Sequence, residues 1–159
     1  LLVSSAASDV YKRQKLDKAG GKVLSRRLSP KRGHVVDVFE DLIYFTRVFP
    51  NANLTVEVPM IEVEQFRIPA KKKRRRRDYK VADVQLESIV ARHELREPSD
   101  LLSLIPDAEK LTQFNTSDLA SAADRPRWMA QKIAYVLRHT GAIEALERKR
   151  SGVVYQRAA

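Results

Sequence analysis

The sequence predicts an α+β protein: a small antiparallel β-sheet with a helix, followed by a helix-turn-helix and a basic β-hairpin. Three observations predict it. Leu54, Val56 and Val58 alternate with Thr55 and Glu57, and Ile61, Val63 and Gln65 with Glu62 and Glu64, as in strands with one face buried. Met129, Ala130, Ile133, Ala134 and Leu137 share one side of a helix at 100° per residue. Beyond Gly141, two short apolar runs flank the polar, basic stretch Glu147-Arg148-Lys149-Arg150-Ser151-Gly152, a hairpin pattern. The chain divides accordingly into 1–33, a leader with a basic linker, 34–97, the α+β region, and 98–159, the helix-turn-helix with its hairpin.

Taken in order, residues 1–14 resemble the translated sequencing-adapter peptide found in some assembled sequences, and they stand outside the fold expectation. The chain begins with Leu1 rather than methionine, so a fragment is expected. Residues 15–33 are polar, basic and glycine-containing, and read as a solvated linker ahead of the alternative, an arm gripping phosphates. His34, Val35, Val36, Val38, Phe39, Leu42, Ile43, Phe45 and Thr46 suit an amphipathic helix that breaks at Phe49-Pro50-Asn51. The strand segments that follow meet at a bend near Pro59-Met60. Alternation continues through Phe66 and Ile68 and resumes at Tyr79, Val81, Val84 and Leu86, which places the basic run 71–77 at a hairpin tip. Residues 84–94 fit a strand or a helix, and the strand is preferred. Pro98-Ser99-Asp100 opens a helix carrying Leu101, Leu102, Leu104 and Ile105 that stops at Pro106, and 106–113 is a loop.

Asn115, Thr116 and Ser117 supply side-chain oxygens for the open amides of the next helix, and Asp118 suits its positive end. Asp124-Arg125-Pro126 ends that helix and begins another, since the residue before proline leaves the helical region while proline fits a first turn. In the second helix Trp128, Gln131, Lys132, Tyr135 and His139 point away from the apolar stripe. Gly141 is the expected left-handed stop. Helix, turn, helix and basic hairpin together resemble a winged-helix domain, which would lay the second helix in the major groove of DNA and rest the hairpin on the backbone.

Composition narrows the function classes. The 159 residues carry 30 Lys+Arg against 20 Asp+Glu, a net charge of +10, which points to a polyanionic partner: nucleic acid, here double-stranded DNA, ahead of a membrane surface. With no cysteine, a disulfide framework and a thiolate metal site are excluded and a reducing cytoplasm is expected. No run approaches the roughly 18 apolar residues of a span. Glu57, Glu62 and Glu64 lack the Asp and Lys of a metal-dependent nuclease site and read as the solvent face of a sheet. His34, His93 and His139 share no metal-ligand spacing, and no phosphate-loop or nucleophile-elbow motif occurs. No catalytic residue, metal or cofactor is therefore expected, nor enzyme activity from this chain alone.

The candidate nucleic-acid contacts fall in three groups. Arg127, Gln131 and Lys132 lie near the start of the second helix, where such side chains reach base edges, and Tyr135 lies on the same outward face. Arg148, Lys149 and Arg150 suit phosphates beside the hairpin. Lys71, Lys72, Lys73, Arg74, Arg75, Arg76 and Arg77 are adjacent cations that gain by counterion release on phosphates, or are simply solvated. Trp128 suits packing on another domain or on a second copy, so a homo-oligomer or an upstream domain is the competing partner.

Ser29-Pro30-Lys31-Arg32-Gly33, Asn53-Leu54-Thr55-Val56-Glu57-Val58, the basic tract, and the run from Arg125-Pro126-Arg127-Trp128 to Gly141-Ala142-Ile143 together resemble a family of uncharacterised bacterial proteins of unknown function. The resemblance covers nearly everything after Gln14 and implies the C-terminal part of longer members, whose N-terminal part is similar to a restriction-endonuclease-like core. The nuclease residues of such a core would lie upstream, so the resemblance implies architecture rather than activity.

Overall fold

The computed structural model describes residues 2–3, 8–30, 32–74 and 77–158. It is an α+β chain in which two compact units interleave along the sequence. One comprises residues 1–6, 35–58 and 93–159, the other 7–34 and 59–92. The elements in chain order are β1 (Leu2–Val3), β2 (Ser8–Leu16), β3 (Val23–Leu28), α1 (Phe39–Leu42), β4 (Val56–Arg74), β5 (Arg77–Leu95), α2 (Pro98–Ser103), β6 (Gln113–Phe114), α3 (Thr116–Ala123), α4 (Arg127–His139), β7 (Ile143–Lys149) and β8 (Gly152–Arg157).

The first unit is helical with a three-stranded antiparallel sheet in the order β6-β8-β7. Its core is apolar: Met129, Ala130, Ile133, Ala134, Val136 and Leu137 bury one face of α4, and Phe39, Leu101, Leu104, Phe114 and Leu119 are buried in the same unit. Local chemistry sets the helix ends. The Asn115 side chain accepts from the amides of Ser117 at 2.7 Å and Asp118 at 3.3 Å, while Asp118 accepts from the Asn115 amide at 2.9 Å, so two open donors are satisfied reciprocally. Asp124 ends α3 in the left-handed region, φ 49°. Gly141, at φ 84°, ends α4 as expected; the Gly141 amide donates to Arg138 and the Ala142 amide to Leu137, the paired bonds of a Schellman turn.

The second unit is a sheet. β2 pairs antiparallel with β3 and parallel with β4, and β5 pairs with the other strand of its hairpin, β4. Among its described side chains only Gln14, Leu16, Ser29 and Val63 are buried.

Several expectations are corrected. Residues 8–14 of the leader, with Lys15 and Leu16 of the linker, form one strand and 23–28 of the linker another: both are rich in cations and polar groups, a composition that reads as solvated coil. The sheet is mixed rather than purely antiparallel, because β2 runs alongside β4. The strand continues through Pro59 without a break, whereas residues 84–94 lie within β5, the strand that the sequence prefers there. The helix expected from His34 to Thr46 shrinks to a 3-10 turn, Val35–Val38, and one turn of α-helix, and it belongs to the unit of α4 rather than to the sheet. The loop expected over 106–113 ends in a strand, since Gln113 opens β6, Gln113–Phe114. β7 extends through Lys149, so the hairpin turn holds only Arg150 and Ser151.

Because Ile133 is fully buried on α4, Ile133→Ala removes about 2–5 kcal/mol of unfolding free energy in urea titration. A loss under about 0.5 kcal/mol, the range of a surface substitution, would show that this face is not core.

Candidate nucleic-acid interface

On α4 the apolar stripe faces inward, so the remaining side chains are displayed as the helical period requires. Arg127 and Gln131 are exposed. Trp128 is 53% and Tyr135 46% exposed, and the Tyr135 ring stacks on His139 with centroids 3.9 Å apart. Arg138 is also exposed on this helix, a cation missed in the sequence because it sits among the apolar residues of the last turn.

Lys132 departs from expectation. Its ammonium lies 2.6 Å from a carboxylate oxygen of Glu40 and 4.9 Å from the centre of the Trp128 ring, so the side chain is folded back onto its own unit instead of standing clear. Just before α4 begins, the Arg125 guanidinium holds Asp37 through two hydrogen bonds, 2.8 and 3.4 Å, with both side chains a third exposed or less. The short helical segment before β4 thus lays acids along the start of α4. No signal in the sequence pairs residues so far apart. Beside these pairs, Ile43, Tyr44, Trp128, Gln131, Lys132 and Tyr135 line an open groove of about 680 Å³.

The hairpin cations are exposed. Arg148 and Lys149 stand on β7 and Arg150 in the turn; Lys149 is 2.7 Å from Glu147, with both 55% exposed, a pairing that water screens strongly. Of the basic tract, Lys71, Lys72, Lys73 and Arg74 end β4 and Arg77 begins β5; their side chains, and Arg75 and Arg76 altogether, lie outside the described residues.

Charge is divided unequally between the units. The sheet unit holds nineteen Lys and Arg against seven Asp and Glu, net +12, and the helical unit eleven against thirteen, net −2, which together make the +10 of the chain. Three of the unit's glutamates are engaged. Glu62 accepts from Ser88 at 2.9 Å and lies 3.5 Å from Arg32, and Glu64 accepts from Gln14 at 2.6 Å. Glu87 accepts from Lys12, and that hydrogen bond holds the Lys12 ammonium above the usual lysine range. Among the described residues no group of three or more His, Asp or Glu is placed to hold a metal ion, and no helix is long and apolar enough to cross a membrane.

Fold and charge define an α+β chain whose cationic surface lies in its sheet and whose helical unit displays an aromatic face. Residues 10–96 match the family described as Domain of unknown function (DUF8091), and the chain belongs to that family. The match contains the whole sheet unit from Val10 onward and stops before α2. No curated protein and no solved structure matches the chain.

The Asp37 pair is the more enclosed of the two that hold α4. Asp37→Ala should cost about 1–3 kcal/mol in urea unfolding. A value within about 0.5 kcal/mol of wild type would mark the pairing as energetically silent.

Proposed function

We propose that this chain is a nucleic-acid-binding module with duplex DNA as its partner. The observation that carries the reading is the net charge of +12 collected on one unit. Cations held close together repel, and phosphates relieve that repulsion while releasing condensed counterions. The sheet then supplies attraction independent of sequence. The element order α2, β6, α3, α4, β7, β8 supports reading the helical unit as a winged helix-turn-helix, with α4 as the reading helix and the β7–β8 hairpin as its wing. In that reading Arg127 and Gln131 reach base edges, Tyr135 flanks them, and Arg148, Lys149 and Arg150 touch the backbone. Lys132 contributes only after leaving Glu40, so base reading rests on fewer groups than the sequence promised.

A second reading is favoured by the exposed Tyr44, Trp128 and Tyr135 around their groove: a protein-interaction or dimerisation face. Large aromatic rings left in water are the usual anchors of such interfaces.

Electrophoretic shift with a short duplex separates the contributions. Replacing Lys18, Lys22 and Arg26 with Gln should weaken binding to all sequences alike and flatten the log K against log[salt] slope, by about 0.9 for each phosphate that is no longer neutralised. Arg127→Ala should leave that slope nearly unchanged and reduce discrimination between sites by about 1–3 kcal/mol. Absence of any shift at low salt would end the nucleic-acid reading. Light scattering in which Trp128→Ala lowers the mass of an assembly would favour the second.

A further inference from the structure

The geometry points to a phosphate-ester site on one face of the sheet unit, built by Arg13, Lys15, Arg27 and Arg67. Strand register places these side chains together. Arg13 of β2 sits opposite Arg27 of β3 and Gln65 of β4, and Lys15 sits opposite Ser25 and Arg67. Directly paired residues share a face, and so do residues two apart on one strand, so four cations form two adjacent rows. They line a recess of about 310 Å³ together with Tyr79 and one acid, Asp78.

Two features, the pairing of like charges and the setting of Arg13, favour an anion at this cluster. Like charges directly opposite one another destabilise a sheet, and here Arg13 faces Arg27 while Lys15 faces Arg67. The Nε of Arg13 is buried with no hydrogen-bond partner, a cost that native proteins usually avoid. Arg67 is oriented rather than loose: its Nε donates to Gln65 at 2.6 Å and its guanidinium lies 3.9 Å from the centre of the Tyr79 ring. Planar guanidinium groups with fixed orientation suit the oxygens of a phosphate better than point charges do, and the recess is large enough for a nucleotide. The site lies wholly within the segment matched to the family.

The ligand chemistry is a phosphate ester, from a nucleic-acid backbone or from a free nucleotide. The site deepens the nucleic-acid reading only in the first case and stands without it in the second. The test is the melting temperature of the full chain titrated with inorganic phosphate, adenosine 5′-monophosphate or a short oligonucleotide against sodium chloride of equal ionic strength. At least one of the three should raise Tm saturably in wild type and equally in Lys110→Gln, a control in the helical unit. In Lys15→Gln/Arg27→Gln, two exposed positions whose replacement leaves the strands intact, apparent affinity should fall at least ~10-fold. Arg13→Lys, which keeps the charge and loses the fork, should also bind more weakly. Response to the oligonucleotide alone identifies the backbone as the source. Response to phosphate or the mononucleotide, with no shift of duplex DNA, identifies a free ester and removes the nucleic-acid reading but not the site. The proposal is overturned if no phosphate compound stabilises wild type more than the double variant.

Discussion

The repulsion among cations on β2, β3 and β4 is the constraint on which the sheet unit turns. Strand pairing there is held by backbone hydrogen bonds, with little apolar burial behind it: Leu16 and Val63 are the buried apolar side chains among those described in the unit. A sheet without a covered apolar face gains little from the hydrophobic effect, so charge weighs more heavily in its balance than in an ordinary core. Any polyanion that lies across the two cationic rows removes an unfavourable term and adds a favourable one. Stability and binding are thus coupled through the same residues.

The helical unit follows the opposite logic. Its core is apolar, and α4 is bounded by local chemistry, opening after Pro126 and closing in the turn at Gly141. Glu40 and Asp37 then qualify what that helix can do. They pair with Lys132 and Arg125, leaving Arg127, Gln131, Arg138 and His139 as the exposed polar groups of α4 among aromatic ones. In the proposed reading this face meets DNA with few charges; in the second it docks a protein through Trp128 and Tyr135. The net charge of −2 on this unit means that long-range attraction to a polyanion has to come from elsewhere in the chain.

How legible this was in the sequence depended on range. α3 and α4 were readable because Asn115, Pro126 and Gly141 act within a few residues and the apolar stripe repeats every turn. The long hairpin was readable because alternation survives on both sides of the basic tract. The candidate site was legible only in part. Arg13, Lys15, Arg27 and Arg67 meet through register between strands distant in sequence, and a basic, glycine-containing segment with few apolar residues looks like a linker until its partner strand is known. The ties from Asp37 and Glu40 to α4 were hidden for the same reason, since each spans some ninety residues of chain.

Lysine acetylation read by mass spectrometry, with and without a DNA duplex, tests the proposed division of labour most directly. The account predicts that the duplex shields Lys15, Lys18 and Lys22 while Lys110, paired with Asp107 in the helical unit, reacts as before. Equal labelling of Lys15, Lys18 and Lys22 in the presence and absence of saturating duplex would contradict it.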